Sequence, residues 1–403
     1  MVLKKNILFL FLFFFFPFSS SFAKEISGPI IVMVGTRPEA IKMLPVYEKL
    51  KARGNPTILC STGQHRDMLN EIFSIFNLKP DFDLDIMKPN QDLFHITTDV
   101  LNKTKEIFIQ LKPSLVLVQG DTTSAVAAGL AAFYLKIPVA HVEAGLRTHD
   151  IYAPFPEEMN RQIIGRIASM HFTPTPLASK HLEAEGINKK LIFCTGNTVI
   201  DALFEVRDKI KKNEILPSSE LTNVIENLKK NQKKIILLTA HRRESFEGGL
   251  QKIFSAIKTS LENHPELAVI YPMHPNPAIK KALDEVFFEN HSSLITIPPI
   301  PYHDMVYLLD AVDGVATDSG GIQEEAVSLN KMTLVLRNET DRPEGLKDGL
   351  GKLVGTNETA IIFGINEILL NRSTFSSESY SSPYGDGLAS KRIVEIIEKA
   401  LEQ

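Results

Sequence analysis

Short apolar segments alternate with amphipathic segments over most of the chain. The apolar segments are rich in β-branched residues, which is typical of buried strands, whereas the segments between them carry apolar residues at helical spacing. In the first half the pattern predicts strands at 30–34, 57–60, 115–118, 138–142 and 191–194, and helices at about 41–52, 68–76, 93–111, 124–134 and 157–168. This alternation predicts a parallel sheet with helices on both faces.

The second half repeats the same alternation after a pause. Charged and polar residues dominate at about 211–232, although 221–228 has the pattern of a helix. A polar, turn-rich segment at 373–386 precedes an amphipathic helix at 388–401, which we expect to pack back across a junction between two lobes. The strands predicted after the pause lie at 235–238, 268–271, 294–297, 314–317 and 333–336.

The pattern therefore predicts an α/β fold of two Rossmann-like, doubly wound parallel-sheet lobes that face a central cleft. We assign the N-terminal lobe to 28–205, the C-terminal lobe to 206–380 and the closing helix to 387–403. The length of 403 residues fits two domains of ordinary size. Ligands bind doubly wound sheets at the carboxyl ends of the strands, so we expect functional side chains in the loops that follow strands.

Residues 1–23 have the pattern of a signal peptide. Lys4 and Lys5 precede an apolar run at 7–18, and Ser21 and Ala23 are small residues of the kind that a signal peptidase accepts. The run of about 12 residues is shorter than the roughly 20 that a membrane-spanning helix needs. Two alternatives are a start codon assigned upstream of the true one and an uncleaved membrane tether. Only the tether would bring the protein to a membrane.

The composition favours a globular enzyme over a disordered or fibrous chain, with 44% hydrophobic and 23% charged residues. The net charge is -4, and the basic residues are spread along the chain, so no nucleic-acid partner is expected. Cys60 and Cys194 can form at most one disulfide. They lack the clustering that a zinc site needs, and no metal site is expected.

Three carboxylates follow consecutive predicted sheet elements: Asp121, Glu143 and Glu157. Each has a structural alternative. Asp121 or Thr122 suits a helix cap, Arg147 can neutralise Glu143, and an acidic residue is common in a first helical turn such as that of Glu157. Together, however, the three carboxylates would converge on one end of the first lobe, where unequal environments supply an acid and a base.

Candidate phosphate-binding groups also follow strands. Segment 318–325 follows a strand and opens a helix, so its free backbone N–H groups and the positive end of the helix dipole face the cleft. It lacks the lysine of a Walker motif and is not a dinucleotide fingerprint. Glu325 lies one turn into the helix, where it suits a ribose diol. Arg37, His241 and His274 follow other strands, and each has a structural or surface role as its alternative.

The motifs, in this order, resemble those of the non-hydrolysing UDP-N-acetylglucosamine 2-epimerases. The resemblance covers nearly all of the chain after residue 28 and rests on GTRPEAIK at 35–42, TGQH at 62–65, QGDT at 119–122, HVEAGLRT at 141–148, PEEMNR at 156–161, HRRE at 241–244, DSGGIQEE at 318–325 and RPE at 342–344. It implies a glycosyltransferase-B-like fold, a homodimer and interconversion of UDP-N-acetylglucosamine with UDP-N-acetylmannosamine. It also implies a route through 2-acetamidoglucal, with no metal and no nicotinamide cofactor.

The resemblance further implies roles for individual residues. The catalytic set is Asp121, Glu143, Glu157 and His241, of which the three carboxylates move protons. The residues expected to hold phosphates, sugar or ribose are Arg37, Lys42, Arg161, His274, Ser319, Gly320, Gly321, Glu325 and Arg342, where His274 is added because it follows a strand of the second lobe. Gln64 and Arg242 match residues implicated in activation by substrate at a second site.

The chain departs from the family pattern at four positions. His149 stands in place of glycine, Val327 in place of proline, Ser245 in place of asparagine and Asp341 in place of glutamate. None of these changes removes a proposed catalytic group, and we expect activity to survive the change at His149, which precedes Glu157 in the same loop.

Two other functions fit the same fold. A UDP-sugar glycosyltransferase needs an acceptor surface, and a non-catalytic sugar-nucleotide sensor has no need of all four catalytic candidates. The location of the protein is a separate expectation. Nucleotide sugars are made and kept in the cytoplasm, so we expect a cytoplasmic enzyme, in conflict with the leader at 1–23.

Overall fold

The structure is a computed structural model that describes residues 28–242, 248–288, 291–340, 342–347, 349–370 and 382–402. The leader predicted at 1–23 lies outside these ranges, as do Ser245, Asp341 and most of the turn-rich segment 373–386. Within the ranges that are described, no helix is both long enough and apolar enough to cross a membrane.

The N-terminal lobe is built on a seven-stranded parallel sheet with the strand order β3-β2-β1-β4-β5-β6-β7. All five predicted strands are confirmed. The pattern missed β3, which has two residues, and β6, in which buried His171 and Thr173 interrupt the apolar run. The strands are β1 (Ile30–Val34), β2 (Thr57–Ser61), β3 (Phe82–Asp83), β4 (Leu115–Gln119), β5 (Val139–Val142), β6 (Met170–Thr173) and β7 (Ile192–Cys194).

The C-terminal lobe is built on a six-stranded parallel sheet with the order β10-β9-β8-β11-β12-β13. The five predicted strands are again confirmed, and the short edge strand β13 was not predicted. The strands are β8 (Lys234–Thr239), β9 (Leu267–Pro272), β10 (Leu294–Ile297), β11 (Gly314–Thr317), β12 (Met332–Val335) and β13 (Gly351–Leu353).

Helices cover both sheets, as the alternating pattern predicts. In the first half they are α1 (Arg37–Ala52), α2 (Arg66–Ile75), α3 (Leu93–Leu111), α4 (Thr123–Tyr134), α5 (Glu157–Ile167), α6 (Pro176–Ala184) and α7 (Thr198–Lys211). In the second half they are α8 (Ser219–Lys230), α9 (Gly249–Asn263), α10 (Pro277–Val286), α11 (Tyr302–Ala311), α12 (Gly320–Ser328), α13 (Glu344–Lys347), α14 (Glu358–Leu369) and α15 (Ala389–Leu401).

Both sheets reverse the direction of strand addition at their centres. In the first sheet β2 and β3 lie on one side of β1 and β4 lies on the other, and β8 has the same position between β9 and β11 in the second sheet. Ligands bind such sheets beside the reversal, at the carboxyl ends of the strands. The loops after β1, β4, β8 and β11 are therefore where a ligand is expected.

The two lobes meet along α7, which packs against α1 of the first lobe and against α11 and α12 of the second. The boundary that the sequence suggested, between residues 205 and 206, falls inside this helix. The closing helix α15 packs against α1 and α7. Asp201 in α7 accepts hydrogen bonds from the backbone N–H groups of Ala389 (3.1 Å) and Ser390 (2.8 Å), which fixes the start of α15.

Candidate active site

Glu143 lies at the turn after β5, where its backbone is left-handed with a φ of 61°. The buried side chain accepts hydrogen bonds from Lys42 Nζ at 2.6 Å, from Asn197 Nδ2 at 3.0 Å and from Gln119 Nε2. Burial favours the neutral acid, but the positive charges of Lys42 and Arg342 outweigh it and hold the pKa of Glu143 below its ordinary value. The carboxylate is therefore ionised at neutral pH.

Arg147 does not neutralise Glu143, although the sequence left that alternative open. Its Nε lies 2.6 Å from Glu185 Oε1, and its Nη2 donates to Glu185 Oε2 at 2.9 Å. The cation beside Glu143 is Lys42, which belongs to α1, the helix that follows β1. The charge of Glu143 is thus balanced by a residue that the family resemblance assigns to the site.

Asp121 follows Gly120, whose φ of 66° turns the chain sharply after β4. Thr122 caps α4, because its Oγ1 accepts the backbone N–H of Ala125 at 3.0 Å. This leaves the Asp121 side chain available to Arg161, whose Nη2 lies 2.5 Å from Asp121 Oδ2. Burial raises the pKa of Asp121 above its ordinary value, even though the charge of Arg161 opposes the change.

The three predicted carboxylates converge on one end of the first lobe. Burial is the largest cause of the raised pKa of Asp121, and the negative charges of Glu143 and Glu157 also raise it. The three carboxylates are therefore close enough to interact electrostatically with one another. Glu157 is half-buried at the start of α5. The pKa of Glu143 is lowered while that of Asp121 is raised, and groups displaced in this way provide a base and an acid at one pH.

Buried polar groups behind the carboxylates hold their loops in place. His141 Nε2 forms a 2.7 Å hydrogen bond with the carbonyl of Gly120. Glu39 accepts the hydroxyl of Thr122 at 2.8 Å and the backbone N–H of Gly35 at 3.0 Å. These bonds join the start of α1, the loops after β1 and β4 and strand β5 into one unit, and a rigid unit keeps catalytic groups at fixed separations.

His149, the main departure from the family pattern near the carboxylates, has a φ of 67°. Glycine adopts this conformation without a steric penalty, which explains why the family pattern has glycine there. The ring of His149 packs edge-on against His181 at 5.2 Å. Glu158 accepts the backbone N–H of the neighbouring Thr148 at 3.0 Å and so holds this loop against the start of α5.

The start of α12 in the second lobe forms an anion-binding end. Ser319 is the N-cap residue, and Gly320 and Gly321 make the first turn. A Cβ on Gly321 would meet no described atom within 4 Å, whereas a Cβ on Gly320 would lie 3.0 Å from Arg342 Cζ. Arg342 Nε donates to Glu324 Oε1 at 2.8 Å. An open helix N-terminus beside a guanidinium group suits a diphosphate.

Glu325 lies one turn further along α12 and is buried. The hydroxyl of Tyr302 donates to Glu325 Oε1 at 2.9 Å. Burial raises the pKa of Glu325 to about 7, with a contribution from the charge of Glu324, while the Tyr302 bond and the charge of Arg37 act in the opposite direction. Arg37 comes from the first lobe, so this effect places the two lobes close together at Glu325.

His241 and His274 stack with their rings 5.9 Å apart and 9° from parallel. Buried Asp318 accepts the backbone N–H groups of His241 at 2.6 Å and of Arg242 at 2.7 Å, and its Oδ1 lies 3.2 Å from His241 Nδ1. Although burial acts against ionisation, the bonds from His241 and Arg242 lower the pKa of Asp318. The side chain of His241 is 41% exposed and remains accessible from solvent.

Gln64, one of two residues with an expected regulatory role, lies beside the start of α4. Its Oε1 accepts the hydroxyl of Ser124 at 2.7 Å, and its carbonyl accepts Gln91 Nε2 at 3.1 Å. Because Ser124 closely follows Asp121 in the sequence, this contact places Gln64 near the loop that carries Asp121. The role of Gln64 and Arg242 in activation stays a prediction.

A sequence model of the UDP-N-acetylglucosamine 2-epimerase family matches residues 48–398. The chain belongs to this family. The UDP-N-acetylglucosamine 2-epimerase of Campylobacter jejuni is 46% identical over 373 residues, which cover 92% of this chain and 97% of that protein. Family members that carry this name are isomerases.

Solved structures agree with this membership. The UDP-GlcNAc 2-epimerase of Neisseria meningitidis, solved bound to UDP-GlcNAc, has a TM-score of 0.82 and 40% identity, and the match covers 92% of this chain and 100% of that one. A glycosyltransferase from Rickettsia africae has a TM-score of 0.60 at 14% identity over 93% of this chain and 98% of that one, which shows a shared fold alone. The predicted glycosyltransferase-B-like fold is confirmed.

Two buried residues of this epimerase-family site had no role assigned from the sequence. Glu324 belongs to the motif at 318–325, in which the sequence predicts a role only for its neighbour Glu325 among the acidic residues of the helix. Asn197 follows the strand predicted at 191–194, and its position after a strand is the feature that could have identified it as a site residue. Among the residues that the structure describes, His, Cys, Asp and Glu side chains do not gather in threes as metal ligands would.

Proposed function

We propose that this chain interconverts UDP-N-acetylglucosamine and UDP-N-acetylmannosamine by inverting the configuration at C2. The observation that carries the proposal is the pair formed by Glu143 and Asp121. Burial and neighbouring charges displace their pKa values in opposite directions, and the pair lies at the carboxyl end of the first sheet. The related epimerase solved with UDP-GlcNAc bound supports the choice of substrate.

The proposed reaction proceeds by elimination and re-addition. A cleft carboxylate accepts the C2 proton while the bond from C1 to the UDP oxygen breaks, and the electron pair of that bond leaves with UDP. A double bond forms between C1 and C2, which gives 2-acetamidoglucal. UDP then adds back to C1, and a proton is delivered to the opposite face of C2. Protons and electron pairs balance, so the cycle consumes no oxidant or reductant.

The arrangement of charges suits this route because C2–H is barely acidic and the leaving group must be stabilised. The start of α12 and Arg342 are suited to the diphosphate, and His241 follows β8 at the same edge of the second lobe. Glu325 is suited to accept hydrogen bonds from the ribose hydroxyl groups. Glu143 is ionised and so suits a base, whereas the raised pKa of Asp121 suits a proton donor.

Product analysis with UDP-N-acetylglucosamine as the only substrate tests the proposal. We expect UDP-N-acetylmannosamine without added acceptor or metal, and an acid-quenched reaction should contain UDP and 2-acetamidoglucal. Product that forms only when an acceptor is added would identify a glycosyltransferase. UDP binding without turnover would identify a sensor, and free N-acetylmannosamine would identify a hydrolysing enzyme.

The proposed enzyme is a homodimer. Large apolar side chains are exposed on α3 and α4, among them Phe94, which is 82% exposed, and Tyr134, which is 65% exposed. α3 and α4 pack side by side, and we propose that their exposed apolar side chains form the subunit contact. Sedimentation velocity on the wild type and on Phe94→Lys and Tyr134→Lys tests this: we expect a dimer that the substitutions weaken, and a wild-type monomer at micromolar concentration would contradict it.

We place the proposed reaction in the cytoplasm, because its nucleotide-sugar substrate is made there. The leader predicted at 1–23 opposes this location. N-terminal sequencing of the protein from its native cells decides between them. An intact start, or a start near residue 28 without export, agrees with the proposal, whereas a mature start at Lys24 in an exported fraction contradicts it.

A further inference from the structure

Asn197 occupies the junction between the lobes with every polar atom of its side chain engaged. It is the N-cap residue of α7, where its Oδ1 accepts the backbone N–H of Val199 at 3.2 Å. This bond fixes the orientation of the amide, so the NH2 group must point the other way. Nδ2 donates to Glu143 Oε1 at 3.0 Å and to Glu324 Oε2 at 2.5 Å. The residue is only 1% exposed.

The amide of Asn197 is the central member of a buried chain of polar contacts. Lys42 contacts Glu143, Glu143 contacts Asn197, Asn197 contacts Glu324, and Glu324 contacts Arg342. The first two members belong to the first lobe and the last two to the second. The chain therefore runs from the carboxylate proposed to act at the sugar to the guanidinium group proposed to hold the diphosphate.

The backbone of Asn197 makes a second link to the same arginine. Its N–H donates to the carbonyl of Tyr384 at 2.7 Å, and the hydroxyl of Tyr384 donates to the carbonyl of Arg342 at 3.1 Å. The same hydroxyl accepts the backbone N–H of Gly345 at 2.9 Å. Both ends of Asn197 are therefore tied to the segment that carries Arg342, which limits the positions that Arg342 can take relative to the first lobe.

Two carboxylates flank the amide of Asn197. Burial raises the pKa of Glu324, and the charge of Glu143 adds to the effect, so the two carboxylates repel each other across Asn197. The two amide protons bridge them. The positive charges of Lys42 and Arg342 act on this pair, and Asp121 and Glu325 interact electrostatically with its two members.

We propose that Asn197 is a positioning residue that couples nucleotide binding by Arg342 to the positioning of Glu143 at the sugar. The inference rests on the proposed epimerase function. An amide that donates both of its protons holds two carboxylates of different lobes at one fixed separation. The nucleotide-binding lobe and the proton-transferring lobe therefore close with one fixed relative position. Loss of the bridge should affect proton transfer more than nucleotide binding.

The substitution Asn197→Asp separates this role from helix capping. Aspartate caps a helix as well as asparagine does, so α7 keeps its cap. The carboxylate, however, removes both donated protons and places a third acid between Glu143 and Glu324. We expect kcat to fall about ten- to hundredfold near neutral pH, the range for loss of a hydrogen bond to a charged group. The Kd for UDP should change by less than about threefold.

The pH dependence of kcat distinguishes a positioning role from a merely structural one. Burial between Glu143 and Glu324 should raise the pKa of the introduced aspartate. Once protonated, its side chain regains one donor, so the deficit in kcat should shrink as the pH is lowered from about 8 to about 6. The matched control is Asn357→Asp. Asn357 caps α14 through the same type of bond, to Ala360 N at 2.9 Å, but it is exposed and follows the edge strand β13. We expect wild-type kinetics from that variant.

The steady-state experiment uses the full chain, UDP-N-acetylglucosamine as substrate and UDP as the binding probe, with the thermal midpoint of each variant measured in parallel. A fall in kcat that is relieved at low pH in Asn197→Asp alone supports the inference. An Asn197→Asp protein with a wild-type pH profile overturns it, and so does a loss that follows thermal stability at every pH. A wild-type protein that leaves the substrate unchanged instead overturns the proposed function, and this inference with it.

Discussion

Lys42 Nζ lies 2.6 Å from Glu143 Oε1, and this buried ion pair joins α1 to the turn after β5. Burial alone would lower the pKa of Lys42, but the negative charges of Glu143 and Glu324 outweigh it and raise the pKa instead. Both members of the pair are therefore charged at neutral pH. A carboxylate that stays ionised is in the protonation state that a general base requires before substrate enters the cleft.

Replacing Glu143 by glutamine tests this interpretation. Glutamine keeps the size of the side chain and removes the proton acceptor, so we expect kcat to fall about 10²- to 10⁴-fold. UDP affinity should stay within about threefold, because the second lobe holds the nucleotide. Steady-state kinetics and calorimetric titration with UDP measure the two quantities.

The matched control for that variant is Glu185→Gln, which removes an ion-paired glutamate that contacts Arg147. We expect Glu185→Gln to keep wild-type turnover. Equal turnover in Glu143→Gln and the wild type would show that the base lies elsewhere.

The two glycines at the start of α12 are expected to respond differently to alanine. A Cβ on Gly321 enters open space, so Gly321→Ala should leave stability unchanged or slightly higher while it weakens UDP binding about tenfold by crowding the diphosphate. A Cβ on Gly320 presses on Arg342 Cζ at 3.0 Å, so Gly320→Ala should lower both stability and UDP affinity. Thermal unfolding and UDP titration of the pair check this, and identical behaviour would refute the assignment.

Two histidines on adjacent strands predict a loss of stability in acid. Burial lowers the pKa of His141 to about 3 and that of His171 to about 4. The unfolded chain binds protons on these residues below about pH 6.5, whereas the folded chain does not, so both reduce the free energy of unfolding as the pH falls from about 6.5 to about 4.

The variant His171→Leu isolates one of these contributions. Its free energy of unfolding should fall with decreasing pH less steeply than that of the wild type, by up to about 1.4 kcal/mol per pH unit. Buried carboxylates with raised pKa values, such as Glu325, act in the opposite direction, but they contribute equally to both proteins. Urea unfolding across the pH range supplies the curves, and parallel curves would contradict the prediction.

Asp201 is expected to matter for stability through the closing helix. It accepts backbone N–H groups at the start of α15 and is 6% exposed. Asp201→Ala should lower the free energy of unfolding by about 1–2 kcal/mol, the cost of a lost helix cap. The control is Asp284→Ala, which removes an exposed pair with Lys280 in α10 and should cost about 1 kcal/mol or less. Equal losses in the two variants would argue against a capping role.

The sequence predicted the fold wherever a strand formed an unbroken apolar run. It missed β6 because His171 and Thr173 are polar and yet buried, and it began the first helix at about residue 41 although α1 starts at Arg37. Thr173 forms a hydrogen bond with Ser179, and Glu39 accepts one from Thr122. Such tertiary contacts leave no trace in the hydrophobic periodicity of a single segment.

The site was predictable to the extent that its residues follow strands. Asp121 and Glu143 satisfy that rule, and the structure brings them together. The partners of these residues were not predictable in the same way. Arg147 is close to Glu143 in sequence but pairs with Glu185, whereas Glu324 reaches Asn197, the amide that contacts Glu143, only because the two lobes close on each other. Contacts between lobes depend on packing that local spacing does not encode.

The central claim is that cleft carboxylates exchange the proton at C2 of a UDP-sugar. The most direct test is to incubate the purified protein with UDP-N-acetylglucosamine in deuterated water, without metal or NAD, and to follow C2 by proton NMR. We predict deuterium at C2 together with new signals of UDP-N-acetylmannosamine. A UDP-N-acetylglucosamine spectrum that keeps its C2 proton and shows no second sugar nucleotide would contradict the account.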